Sequence, residues 1–161
     1  MADRILVMDH GRIVQSGTPW DVYNKPTTPF VASFLGSMNF IRDAVKEADG
    51  VIRVGGIRLH VDDRFMDGLA PGVPVTVGIR PEDIVVHQAG ESPRNALPAR
   101  VGTLEFRGPR YRVSFHLSLG NNHASSIDAD FPTELIRRLG IREEMELAIH
   151  LPADRIRVYP L

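Results

Sequence analysis

Residues 72–87, GVPVTVGIRPEDIVVH, and residues 142–159, REEMELAIHLPADRIRVY, follow one plan. Each runs from an alternating apolar strand into a proline, then an acidic residue, then a second strand led by isoleucine. In the first, Val73, Val75, Val77 and Ile79 recur with period two, Pro81 ends the ladder because it has no N–H to give, and Ile84-Val85-Val86 begins again. In the second, strands at Met145 to Leu151 and Arg155 to Tyr159 flank Pro152 and Asp154. A repeat of this kind predicts two related β sub-modules that close on one another.

The sequence on either side carries the same short-strand rhythm. Before the first copy come strands at Phe40 to Ala48, Val51 to Val54 and Ile57 to Val61, parted by Asp49-Gly50 and Gly55-Gly56. A loop from Asp62 to Gly72 follows, with a turn of helix at Arg64 to Gly68. Residues 88–98, QAGESPRNALP, are dense in turn formers and read as the linker between the sub-modules. Beyond it, strands are predicted at Ala99 to Phe106, Tyr111 to Leu119 and His123 to Asp128. DFPTELIRRLG, 130–140, reads as a short helix with Leu135, Ile136 and Leu139 inward and Gly140 at its end. The predicted fold is mainly β: an oligonucleotide-binding-like Greek-key barrel made of sub-modules at about 39–88 and 95–161.

The first 38 residues belong to a different pattern. Ile5 to Met8 and Arg12 to Gln15 form a hairpin around Asp9-His10-Gly11. Thr18 then caps a helix that opens on Pro19, and Thr28 caps a second that opens on Pro29, where proline loses nothing because that N–H has no partner within the helix. Phe30, Val31, Phe34 and Leu35 share one face of the second helix, and Gly36 is placed to stop it. Two helices this short, showing this much apolar surface, need a cover.

That run, ADRILVMDHGRIVQSGTPWDVYNKPTTPFVASFLGSMNF at 2–40, resembles the end of the nucleotide-binding domain of ABC importer ATPases, the branch that includes maltose, polyamine, ferric-iron, sulfate and phosphonate systems. In that family the pattern leads into a β-rich accessory domain, the TOBE domain. The segment Val77 to Ile84 and RNALPARVGTLEFRG at 94–108 resemble it as well. The latter segment, with ASSIDAD at 124–130 and AIHLPADRIRVY at 148–159, is also similar to small molybdate-binding modules of the same fold.

The resemblance implies a parent protein that works as two copies on the cytoplasmic face of a membrane permease, coupling hydrolysis of ATP, with Mg²⁺, to solute uptake. Residues 1–38 would be the remnant of the ATP-hydrolysing domain and 39–161 its regulatory barrel, with Met1 either a cloning start or a start assigned inside a longer gene. The chain itself carries no P-loop: its two lysines, Lys25 and Lys46, do not follow glycine, and neither an LSGGQ-like signature nor a strand ending in Asp-Glu occurs. It is therefore expected to hold no ATP, no metal and no catalytic residue of its own.

Composition narrows the partners further. A net charge of −1 gives no general pull toward nucleic acid or anionic lipid, and the few aromatics offer no stacking platform on a basic groove. No cysteine is present, which removes disulfides and thiolate ligands. No apolar run nears the roughly 20 residues that span a bilayer, so direct membrane insertion is not expected and any peripheral attachment goes through the permease. The six histidines, at 10, 60, 87, 116, 123 and 150, never fall at helical metal-motif spacing.

Two sets of side chains remain as binding candidates. The first is an interface set for the missing domain, the permease or a second copy: Trp20, Tyr23, Phe30, Phe34 and Leu35 on the short helices, and Arg80, Glu82 and Asp83 at the proline corner, where the charges can pair or meet another surface. Val22 and Val31 belong to the same apolar faces, which are expected to pack on the chain's own barrel or on a second copy, by exchange of the tail. The second set is a small-anion site carried over from the molybdate-binding modules: Asn95, Ser125, Ser126 and His150. Those relatives typically have a lysine in the strand that here carries His150, so the positive charge is weaker at neutral pH.

Overall fold

His10 and Gly11 both take positive φ, 48° and 76°, the geometry of a two-residue hairpin turn. In the computed structural model they join β1 (Ile5–Asp9) to β2 (Arg12–Gly17), with Asp9 opposite Arg12. Residues 2–87 and 91–161 are described; Met1 and 88–90, the start of the 88–98 stretch read as a linker, lie outside them. The chain divides into two units, Met1–Met38 and Asn39–Leu161.

In the first unit, α1 (Pro19–Asn24) and α2 (Pro29–Phe34) start on their threonine caps. Asp21 N donates to Thr18 Oγ1 at 3.1 Å and Val31 N to Thr28 Oγ1 at 3.2 Å, each satisfying an N–H that the helix leaves unpaired. Gln15 ties the helix connection to the hairpin: its amide donates to Lys25 O at 3.0 Å and its carbonyl accepts from Thr27 N at 2.9 Å. Val7, Val22 and Val31 make a small core, with Ile5 and Leu35 half-buried against it.

The second unit contains two five-stranded antiparallel sheets. One holds β3 (Asn39–Ala48), β4 (Val51–Val54), β5 (Ile57–His60) and β6 (Pro74–Ile79). The other holds β8 (Ala96–Arg107), β9 (Arg110–Ser118), β10 (Ala124–Pro132) and β11 (Glu146–His150). The remaining two strands cross over. Strand β7 (Val85–His87) follows β6 in the chain but pairs with β11, and β12 (Arg157–Pro160) follows β11 but pairs with β6. The sheet orders β5-β4-β3-β6-β12 and β10-β9-β8-β11-β7 are thus the same order built twice, each closed by the other half's last strand. The inward residues of both sheets, among them Ile41, Val77, Phe115, Ile127 and Ile149, form a single core together with Ile156 just before β12.

Several element boundaries differ from the sequence reading, most by one or two residues. Strand β8 starts at Ala96 rather than Ala99, because residues 96–98 pair with His150, Ile149 and Ala148. Strand β10 runs on to Pro132, opposite Arg110, so Asp130 and Phe131 are strand rather than helix. Helix α3 (Thr133–Leu139) follows directly and ends on Gly140 in the left-handed region. The helical turn expected at 64–68 sits one residue earlier, at Asp63–Phe65, where the Asp62 carboxylate accepts from Arg64 N at 3.1 Å.

Candidate functional site

The apolar faces of the first unit split in two. Val22 and Val31 are buried and Tyr23 and Leu35 half-buried, whereas Trp20 is 60% and Phe34 63% exposed. Phe30 is exposed too, and stacks on Phe34 with ring centroids 6.0 Å apart; Lys25 Nζ lies 5.4 Å from the Trp20 ring. On the hairpin, strand alternation turns Val7 inward and leaves Leu6 and Met8 exposed, with Ile13 opposite Met8. With Val14, seven large apolar side chains among the described residues therefore remain in solvent on a 38-residue unit.

The proline corner is only partly a surface. Pro81–Asp83 is a single 3-10 turn lying beside β10. Arg80, expected to meet a partner, is instead buried, with 5% exposure, and so is Pro81. Glu82 is exposed. Burial pushes the Asp83 carboxyl above the usual carboxylate range, against the pull of the nearby Arg155. The same neighbourhood holds Arg157, whose guanidinium lies 3.8 Å from the Phe65 ring centre, and Tyr159, whose hydroxyl burial pushes up to about 12. The corner is a partly buried charge cluster, with Arg80 and Tyr159 inside, Asp83 and Arg157 half-buried, and Glu82 and Arg155 at the surface.

The four residues proposed for an anion do not come together. Asn95 is buried at φ 63°, and its side chain is fully engaged with backbone: Oδ1 accepts from His60 N at 2.7 Å, and Nδ2 donates to His60 O at 2.7 Å and Leu151 O at 2.9 Å. Ser125 and Ser126 lie on β10, while His150 lies on β11, with β9 and β8 between. A separation of three strand spacings is roughly 14 Å, too far for one small oxyanion to bridge.

Two groupings escaped the sequence. Ser126, His116, Arg100 and Glu146 stand opposite one another across β10, β9, β8 and β11, and Ser126 Oγ meets His116 Nδ1 at 3.2 Å. This row borders an open hollow of about 380 Å³, but Glu146 lines it too and Glu144 pairs with Arg100 at 3.0 Å, so the hollow has no positive excess. The second grouping is a contact between His87 Nε2 and His150 Nδ1, with His87 Nδ1 held by Glu91 at 2.8 Å. The β11–β7 pairing that creates it is nonlocal, although both histidines close the first strand or the last strand of the repeated plan. Among the described residues no three His, Asp or Glu side chains group as metal ligands, and no helix is long and apolar enough to cross a membrane.

Residues 37–84 match the family model described as the MalK OB fold domain, and residues 77–158, half of the chain, match the TOBE domain model. The chain belongs to the TOBE domain family. A solved structure of the cytoplasmic molybdate-binding protein ModG, with molybdate bound, is similar to the TOBE chain with a TM-score of 0.56 at 18% identity, covering 76% of this chain and 94% of that one. At that identity the likeness speaks to the fold alone. It agrees with the mainly β, oligonucleotide-binding-like barrel that the strand pattern predicts.

Proposed function

We propose that this TOBE chain is the C-terminal accessory region of the ATP-binding subunit of an ABC solute importer, of the branch named above. In this reading 39–161 is the regulatory and dimerising barrel, and 1–38 is the end of the nucleotide-binding domain. The parent would use ATP and Mg²⁺ and sit at the cytoplasmic face of its membrane through permease subunits. The observation that carries the reading is the first unit, in which Leu6, Met8, Ile13, Trp20, Phe30 and Phe34 stay exposed around a core of three valines. Burying such side chains is worth about 1.5 to 3 kcal/mol each, which a neighbouring domain body would recover.

Reading the genomic DNA upstream of the Met1 codon tests this directly. The expected result is an uninterrupted frame encoding a Gly-Lys-Ser/Thr phosphate loop. An in-frame stop just upstream would overturn it. Titration of the chain with Mg-ATP should give no binding heat, since the residues that cradle phosphates are absent.

The likeness to ModG favours one second reading, a free-standing small-oxyanion-binding protein. It predicts that molybdate, tungstate or sulfate raises the melting temperature, with micromolar affinity. No shift with any of the three removes it.

A further inference from the structure

His87 ends β7 and His150 ends β11, and the two rings lie diagonally across the pairing that closes the second sheet, on the face opposite the core residues Val86 and Ile149. Their ring centroids are 4.3 Å apart. Glu91 accepts from His87 Nδ1, which places that ring's proton on Nδ1 and leaves Nε2 as an acceptor for the Nδ1 proton of His150. In this arrangement a first added proton leaves both contacts intact, because the pair can share the proton between His87 Nε2 and His150 Nδ1. A second sets N–H against N–H along that line and brings two cations into contact.

We propose that the His87–His150 contact is an acid-released latch on the exchanged strand β7, closed while at most one imidazole is charged and open when both are. The charged surroundings are few. Glu91 bonds His87, and no other charge occupies β7. On β11 the nearest same-face charge is Glu146, four residues from His150. On β8 Ala96 stands opposite His150, and Arg100 lies beyond, opposite Glu146. Arg94, just before β8, lines a separate hollow with His60, Asp62 and Asp154. Burial and the His87 charge both push the His150 imidazole below its ordinary value, in keeping with a pair that resists its second proton. Since β7 is what the first half contributes to the second sheet, its release would undo one of the two strand exchanges between halves while the core strands stay paired. The inference does not depend on the importer reading.

Hydrogen exchange of the amides in 85–87 and 148–150, followed from pH 7.5 to 4.5, tests the latch. The wild-type chain is expected to lose protection at these amides by at least tenfold below the ordinary histidine range, while β3 and β9 amides keep theirs. His150→Phe retains a ring and removes the second charge, and should abolish the step. Glu91→Gln removes the negative charge beside the pair, and should move the step to lower pH. The proposal is overturned if the three proteins share one pH profile, if the step is absent from wild type, or if NMR shows both imidazoles titrating independently near their ordinary value. Should His150→Phe fail to fold, the direction of the Glu91→Gln shift decides alone.

Discussion

The side-chain amide of Asn39 holds both backbone groups of Asp128: Oδ1 accepts from Asp128 N at 2.8 Å, and Nδ2 donates to Asp128 O at 2.7 Å. Asn39 opens β3 in one sheet and Asp128 sits mid-way along β10, the edge strand of the other. Asn95, just before β8, does the same to His60 at the end of β5, the opposite edge strand. Each half thus closes the other half's exposed edge with an amide that imitates a neighbouring peptide, a device that blocks further strand pairing.

Removing either amide leaves backbone groups unpaired. Asn39→Ala is expected to cost about 2 to 3 kcal/mol, and Asn95→Ala more, since it also puts alanine at a left-handed φ. Urea denaturation of the two variants checks both the losses and their order; equal, near-zero effects would show that the clamps are incidental.

The β4–β5 turn sits against the β9–β10 turn, with Gly56 N donating to Leu119 O at 2.7 Å. A Cβ on Gly55 would lie 2.7 Å from that carbonyl oxygen, 2.8 Å from His123 Cβ and 2.9 Å from Gly120 O. Gly55→Ala should cost about 3 kcal/mol or more, combining left-handed strain with a backbone clash. Gly68→Ala has the same sign of φ but open space, and should cost only about 1 kcal/mol. Thermal melts of the pair separate strain from collision.

Tyr159 gives the barrel an alkaline limit. Its folded-state pKa of about 12 stands above the ordinary value near 10, so above pH 10 the unfolded chain loses the phenolic proton first. Stability should fall as pH rises from 10 toward 12. Tyr159→Phe should flatten that fall in denaturation curves, whatever it does at pH 7.

Asp83 acts in the same sense at lower pH. Its folded pKa is raised by burial, so its ionisation burdens the native state increasingly as pH rises through the carboxylate range. Asp83→Asn is expected to raise the melting temperature at pH 7, with the gain vanishing where the acid is protonated in both states. A gain that grows toward low pH would contradict the assignment.

The exposed helix and hairpin residues should make the isolated chain self-associate. Sedimentation of Trp20→Glu/Phe34→Glu is expected to show less association than wild type, with the barrel's melt unchanged because neither side chain belongs to its core. Val31→Ala, by contrast, opens the small valine core and should lower the first unit's stability by about 1 to 2 kcal/mol.

Local patterns in the sequence located most of the strands. Period-two apolar residues at 73–79 and the glycine pairs at 49–50 and 55–56 act within a few residues of themselves, so their consequences could be read there. The echo between 72–87 and 142–159 gave the two halves but not the crossing of β7 and β12, which depends on which distant edge each strand finds. Arg80 looked like a surface charge because burial is a property of the fold around it. Asn95 looked like an anion ligand for the same reason: an amide offers the same atoms to an oxyanion and to a backbone, and only the position of His60 decides between them.

The crossed strands also govern how the barrel can come apart. Because Val85–His87 is fixed in one sheet and Arg157–Pro160 in the other, a nick in the connection between the halves would leave two pieces still laced together. Neither half has a complete sheet to retreat to, so dissociation, reassembly and mechanical extension must each proceed through the whole barrel rather than one sub-module at a time.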